Sequence, residues 1–465
     1  MGTPVTLIAR LTGGRLSQLA GSETAKAVGL AGSMIANNVI ALVATIVFAR
    51  LLKDNEGGGY GSLAALISYL LILNVVGQAM QVATAREAVL GHLGVGEELM
   101  ATVRRWSVAL LVFSVVLAVI SVLLRAPIAS LVGVRHDEWA AALGLPAAGL
   151  WVWLSVLRGV LQGIGDYRGV GVSLIDEQAA RLVSGAILAA AGLGVTGAYS
   201  GSLLSFAAMV AYCLWRLRRY VRAAAAGAPS PIPEGRSTPE ARDLWIHVQR
   251  AWAPIAGLII IAVLQNIDII AAKHRFTTSV ASSYGAVAVA AKVLIWVAIG
   301  AGFYLVPEVS RRRAAGEDPR PILARALAIV AVCAVPVLLI FAFASHLLIK
   351  LAFGADHTRA SGSLFVLGLA FTALACTYLA IQYLLAQRRT WFLLVLALVA
   401  IAEPILLLHA SRRPTGFATV ALAIQLVGMV IAYAFALRRD RTPPPGLGDR
   451  DPSLPDREPI PEPIS

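Results

Sequence analysis

The sequence predicts an all-α, polytopic membrane protein with twelve transmembrane helices in two six-helix lobes and both termini cytoplasmic. Three observations carry that expectation. The 465 residues are 58% hydrophobic and only 14% charged, far from the composition of a soluble domain. The apolar residues fall in runs of about 20, the length that crosses ~30 Å of hydrocarbon in helical form. The longest connection, a basic segment at 215–251, divides those runs six and six.

In chain order, residues 1–26 form a cytoplasmic N-terminal segment. Its first 20 residues mix Leu7, Ile8, Leu11, Leu16 and Leu19 with Arg10 and Arg15, the pattern of a short interfacial helix. No continuous apolar core precedes residue 20, and the first long run exceeds the h-region of a cleavable signal. The first lobe, 27–214, holds runs at 27–49, 61–84, 106–124, 140–162, 173–194 and 197–214. Only Gly194, Val195 and Thr196 separate the fifth and sixth. The linker 215–251 carries Arg216, Arg218, Arg219 and Arg222, an Ala/Gly/Pro-rich stretch, then Arg236, Arg242 and Arg250. The second lobe, 252–437, holds runs at 252–272, 284–306, 326–345, 362–386, 391–409 and 415–437. A Pro-rich tail, 438–465, contains Pro443-Pro444-Pro445 among charges and reads as disordered and cytoplasmic.

Six is even, so the two lobes share one orientation, and a repeat would be related by an axis along the membrane normal. Tyr60-Gly61 opens the second run and Tyr284-Gly285 the eighth. Basic loops follow both, at 86–105 and 311–325.

The net charge of +13 follows topology rather than a nucleic-acid partner. With the N-terminus inside, 28 of the 39 Lys and Arg fall on inner segments and inner span ends. Ten fall on outer loops, and Lys292 lies within a span. That bias is the positive-inside rule, with attraction to anionic membrane lipids as a by-product. Cys213, Cys333 and Cys376 share no spacing and the histidines are scattered, so neither a disulfide framework nor a metal set follows. Gly57-Gly58-Gly59 lacks the Gly-Lys-Ser/Thr of a phosphate-binding loop, so no ATP site or other cofactor is expected. Every outer loop is too short to hold a catalytic domain, which argues against an enzyme.

A few ionisable groups remain at bilayer depth, where each costs at least a few kcal/mol and marks a functional candidate. Lys292 shares a helical face with Trp296 and Phe303, a cation beside aromatic rings that suits a bound anion. A structural partner is the other reading. Asp268 lies on a stripe with Gln265, Ala272 and Arg275 that faces a cavity, or else pairs with Lys273 or Arg275. Glu403 precedes Pro404 in an apolar run. A desolvated carboxyl there is suited to cycling protons, making Glu403 and Asp268 coupling-ion candidates, or else Glu403 pairs with Lys292. Asn74, Gln78 and Gln81 share a face in the second run, with Arg86 near its end and Asn37 and Asn38 in the first run. Arg50, Arg158 and Arg181 sit near span ends. They either snorkel as anchors or form a basic vestibule for a phosphate-bearing head group.

The stretch Arg158-Gly159-Val160-Leu161-Gln162-Gly163-Ile164-Gly165-Asp166-Tyr167, the Arg181-Leu182 helix, and the glycines from 192 to 201 resemble one family. Asn266-Ile267-Asp268, Tyr284-Gly285, Lys292 and Val306-Pro307-Glu308-Val309-Ser310 extend the resemblance over roughly 25–437. The family is the polysaccharide flippase branch of the multidrug/oligosaccharidyl-lipid/polysaccharide exporter superfamily. The resemblance implies two lobes around a central cavity in a bacterial plasma membrane. It implies flipping of a polyprenyl-diphosphate-linked glycan, with glycan-assembly proteins as further partners. Among cavity cations, Lys292 maps best onto the diphosphate site. Twelve spans rather than fourteen favour an O-antigen-type flippase over a lipid II flippase. A cation antiporter of the same superfamily and a non-transporting scaffold are the rival expectations.

Overall fold

A computed structural model of the chain describes residues 23–52, 59–225, 252–314, 317–387 and 389–438. All regular structure among them is helical. The first half comprises α1 (Glu23–Leu51), α2 (Gly59–Leu73), α3 (Val75–Val89), α4 (Glu97–Leu123), α5 (Arg125–Val132), α6 (Glu138–Ala142), α7 (Gly144–Gly163), α8 (Tyr167–Leu188) and α9 (Gly194–Ala225). The second comprises α10 (Trp252–Arg275), α11 (Thr278–Ala291), α12 (Val293–Ala314), α13 (Arg320–Phe353), α14 (Leu364–Ala386), α15 (Phe392–His409) and α16 (Pro414–Ala436). A 3-10 stretch, Ala355–Ser363, leads into α14.

Eleven stretches among the described residues are long and apolar enough to cross a membrane. One of them, Tyr167–Ala223, runs 57 residues. As one straight helix it would reach ~85 Å, far beyond the ~30 Å of hydrocarbon. It is a hairpin. Gly192 (φ 97°) and Gly194 (φ 51°) adopt backbone angles open to glycine, and they reverse the chain between α8 and α9, which then pack together. Among the described residues the stretches of spanning length therefore number twelve, with the fifth and sixth joined by this glycine turn.

Both halves use one packing scheme. In the first, span one (α1) packs on span five (α8), two (α3) on four (α7), three (α4) on four, four on six (α9), and five on six. In the second, seven (α10) packs on eleven (α15), eight (α12) on ten (α14), nine (α13) on ten, ten on twelve (α16), and eleven on twelve. Spans three and nine are the outliers of each bundle. Val108, Val112 and Val115 of α4, and Val332, Val335 and Phe343 of α13, are exposed, as lipid-facing residues should be.

Lipid removes the hydrophobic drive between helices, so close packing of small residues takes over. Gly159 and Gly163, four apart on α7, meet Thr84 and Ala88, four apart on α3. A Cβ at either glycine would collide with that helix.

On the side opposite the basic loops, the two halves are tied together. Gly61 N–H donates to Ser282 Oγ at 2.9 Å. The Tyr60 ring meets His357 edge-on with centroids 5.7 Å apart. Arg50, at the end of α1, donates to the carbonyls of Leu351 (2.6 Å) and Ala352 (3.0 Å) at the end of α13. His274 Nε2 lies 2.9 Å from the Leu131 carbonyl.

Where the sequence suggested a linker from 215, α9 continues as helix to Ala225. Arg216 sits on that extension and holds Asp166 in a two-pronged pair (2.6 and 3.0 Å), while Asp166 caps α8 by accepting from Gly169 N–H. The rest of the linker, the interfacial N-terminal stretch before residue 23 and the tail from 439 lie outside the described residues.

Candidate functional site

Spans two and eight, which occupy equivalent places in the two halves, each carry a polar residue where one helical turn tightens while the backbone stays helical. Between α2 and α3 it is Asn74 (φ −69°, ψ −12°), whose carbonyl accepts the Trp151 indole N–H at 2.7 Å. Between α11 and α12 it is Lys292 (φ −62°, ψ −14°), followed by a turn in which Ile295 N–H donates to the Lys292 carbonyl.

Lys292 is enclosed in the second half, 6% exposed. Its ammonium donates to Asn266 Oδ1 of α10 at 2.9 Å and lies 5.9 Å from the centre of the Phe371 ring of α14. Asn266 keeps its own amide satisfied on the Ala262 carbonyl. Two residues on, Asp268 Oδ2 accepts from the Tyr284 hydroxyl of α11 at 3.2 Å. From α15, Glu403 Oε1 accepts from Gln425 Nε2 of α16 at 2.9 Å, and Gln425 also donates to the Leu264 carbonyl at 3.0 Å. Asp268 Oδ1 and Glu403 Oε2 are buried and have no hydrogen-bond partner among the described residues. Asp268 interacts electrostatically with both Lys292 and Glu403. The cluster thus holds two carboxyls, one ammonium and two spare carboxyl oxygens in a low-dielectric setting. Such a set can take up a proton or a small cation.

Several pairings differ from the sequence expectations. Asp268 partners Tyr284 rather than Lys273 or Arg275, and Arg275 instead donates to the Ala410 carbonyl. Glu403 bonds Gln425 rather than Lys292. The ring beneath the ammonium is Phe371, while Trp296 stands half-buried on α12.

Arg158 is not in an open vestibule. It is wholly buried, its guanidinium donating to Glu177 (3.0 Å), Ser173 Oγ (2.8 Å) and the Ser173 carbonyl (2.7 Å). The reason is Glu177, which projects from α8 into the α7 interface and holds Arg181 as well, at 2.9 Å. Arg50 is likewise occupied by helix-end carbonyls. Gln78 and Arg86 are exposed on α3, Gln81 is half-buried beside them, and Asn38 is half-buried on α1. Structure therefore gathers Asp268, Lys292 and Glu403 in the second half and, in the first, brings Arg158 and Arg181 together on Glu177 while the other candidates stand apart. Sequence reading overlooked Gln425, Phe371 and Glu177. The lone Gln in an apolar run was a usable signal for the first, and the Glu177–Arg181 spacing of four for the last.

No protein-family model matches the chain, and no curated protein matches it. Solved structures do. An inward-facing multidrug resistance MATE family transporter of the MOP superfamily superposes with a TM-score of 0.64 at 13% identity, covering 86% of this chain and 94% of that one. Lipid II flippase MurJ in an inward closed conformation superposes at 0.63 with 12% identity, covering 87% of each. The chain shares the fold of these structures. A eukaryotic MATE transporter, AtDTX14, gives 0.60 at 15% identity over 90% and 96%. An outward-facing MATE transporter gives only 0.55. At these identities the likeness carries the fold, and residue roles rest on the geometry above.

Proposed function

We propose that this transporter-fold protein flips a polyprenyl-diphosphate-linked oligosaccharide between leaflets of a bacterial plasma membrane by alternating access. Both termini would lie inside, with halves 27–214 and 252–437 rocking against each other. The observation that carries the reading is Lys292, a buried cation within span eight. An ammonium at bilayer depth is costly, and a diphosphate is a ligand chemistry that would repay it. The first run, 27–49, contains no acid to attract a cationic solute.

Lys292 is shared in this scheme. With Asp268 ionised, the ammonium stays against Asn266 and its carboxylate neighbour. Neutralising Asp268 or Glu403 with a coupling ion loosens that hold, and the side chain swings toward the space between the halves to meet the head group. The polyprenyl chain remains in lipid throughout. Energy then comes from an ion gradient, not from bound nucleotide.

The test uses proteoliposomes scored for leaflet exchange of a polyprenyl-diphosphate oligosaccharide and, in parallel, for efflux of a cationic dye. Flipping by the wild type, lost at least tenfold in Lys292→Ala at equal protein level, supports the reading. Flipping unaffected by Lys292→Ala overturns the site. Dye efflux without glycan flipping favours the second reading, a cation antiporter, for which the buried Asp268 and Glu403 are the supporting observation.

A further inference from the structure

On the membrane face that bears the basic loops, α4, α7 and α9 enclose a groove of about 710 Å³. It lies wholly within the first half. Its charges are Arg104 of α4 and Arg218 of α9; Ser107 and Trp153 share the lining, and Met100 and Ala101 precede Arg104 along α4. Among the described residues neither guanidinium has an acidic partner. By contrast, Arg158, Arg181, Arg216, Arg311 and Arg312 are each paired with a carboxylate. Two cations that line one cavity without an acidic partner among the described residues repel each other unless an anion sits between them.

The groove also has a direction. Residues 104, 107, 108 and 111 follow one face of α4, so polar Arg104 and Ser107 give way to Val108 and Leu111, ~10 Å further along the helix. The exposed Val112 and Val115 continue that face into the apolar zone. Trp153 donates its indole N–H to Ser107 Oγ at 3.2 Å, which leaves the serine hydroxyl proton free to donate upward. A charged mouth, a hydroxyl and an apolar channel in sequence match a phosphate, its ester region and an acyl chain.

We propose that this groove binds one anionic glycerophospholipid of the surrounding leaflet. Its phosphate lies between Arg104 and Arg218, where planar guanidinium groups can contact it in two-pronged fashion. Its chain follows Val108 and Leu111. The occupant is a resident lipid rather than cargo, because the groove is set apart from the face where the halves meet. The lipid joins span three to span six. This proposal does not depend on the transported substrate.

Native mass spectrometry of the full chain in detergent tests it, with phosphatidylglycerol, phosphatidylcholine of the same chains, and polyprenyl phosphate as probes. The wild type is expected to retain phosphatidylglycerol over phosphatidylcholine. Arg104→Gln with Arg218→Gln should lower that preference about thirtyfold, the effect of two basic contacts at a membrane surface. Arg105→Gln, next in sequence on another face, should leave it intact. Leu111→Trp, which keeps both arginines but blocks the channel, should weaken retention too and serves if the double variant is unstable. An unchanged preference in both groove variants, or equal retention of phosphatidylcholine by the wild type, overturns the proposal. Displacement of phosphatidylglycerol by equimolar polyprenyl phosphate also overturns it and assigns the groove to cargo.

Discussion

Gln425 Nε2 reaches Glu403 Oε1 at 2.9 Å, and the same nitrogen donates to the Leu264 carbonyl at 3.0 Å. One amide thus ties spans seven, eleven and twelve together around a buried carboxyl. Replacing Glu403 by Gln keeps the volume and removes the ionisable proton. Transport by Glu403→Gln is expected to lose its response to an imposed pH gradient while melting temperature and yield stay near wild type. Gln425→Leu, by contrast, strands Glu403 and should cost about 1–3 kcal/mol of stability. Paired flux and thermal-melt measurements separate the two. A pH-gradient response preserved in Glu403→Gln would remove Glu403 from the coupling machinery.

Arg158 and Glu177 form an ion pair with neither side chain more than 3% exposed. Removing one partner of such a pair typically costs about 3–5 kcal/mol, while replacing both by apolar residues is far milder. Glu177→Ala should therefore sharply reduce folded protein, and Arg158→Leu with Glu177→Leu should recover much of it. Fluorescence size-exclusion of the two variants decides. Equal loss in both would mean that the pair is not held as described.

Gly159 and Gly163 let α7 lie against α3. Gly159→Val places a Cβ where Thr84 and the Gln81 carbonyl already stand, and adds two methyl carbons beyond it. We expect destabilisation of at least about 1–3 kcal/mol, the range for overpacking, read by thermal melts in detergent. Gly32→Ala, at a position with open space around it, should be silent in the same assay.

Asp137 lies in the connection before α6, outside the spans. Its carboxyl is held above the ordinary carboxylate range, first by burial, with the Ser62 hydrogen bond and the charges of Lys273 and His136 pulling the other way. A folded chain that holds this proton more tightly than the unfolded chain gains stability at low pH. That contribution is full below the ordinary carboxylate range and is lost as pH rises through the raised value. Asp137→Asn should therefore melt like the wild type in acid and above it near neutral pH. Melting curves across that range check the sign.

Much of the architecture was legible because a bilayer imposes its thickness on sequence. Twelve runs of spanning length were readable, while the turn between the fifth and the sixth, marked in the sequence only by Gly194, Val195 and Thr196, owes its geometry to the positive φ of Gly192 and Gly194. Asp268, Lys292 and Glu403 stood out because ionisable groups at depth are rare. Their partners did not. Nothing local relates Gln425 to Glu403, 22 positions away, or Phe371 to Lys292, since both meetings are decided by helix rotation in the packed bundle. The same limit hid the fate of Arg158. Its position near a span end fitted a surface anchor, and only the facing of α7 toward Glu177 shows it enclosed.

The matching packing order of the two halves bears on biogenesis. Every helix pair of the first scheme joins spans that precede α10 in the chain. The first half can therefore assemble in the membrane while the second is still being synthesised. Its buried ion pair is compensated entirely from within, while Arg50 at the end of α1 waits for the α13 carbonyls. The second half, with its spare carboxyl oxygens, then inserts beside a finished neighbour.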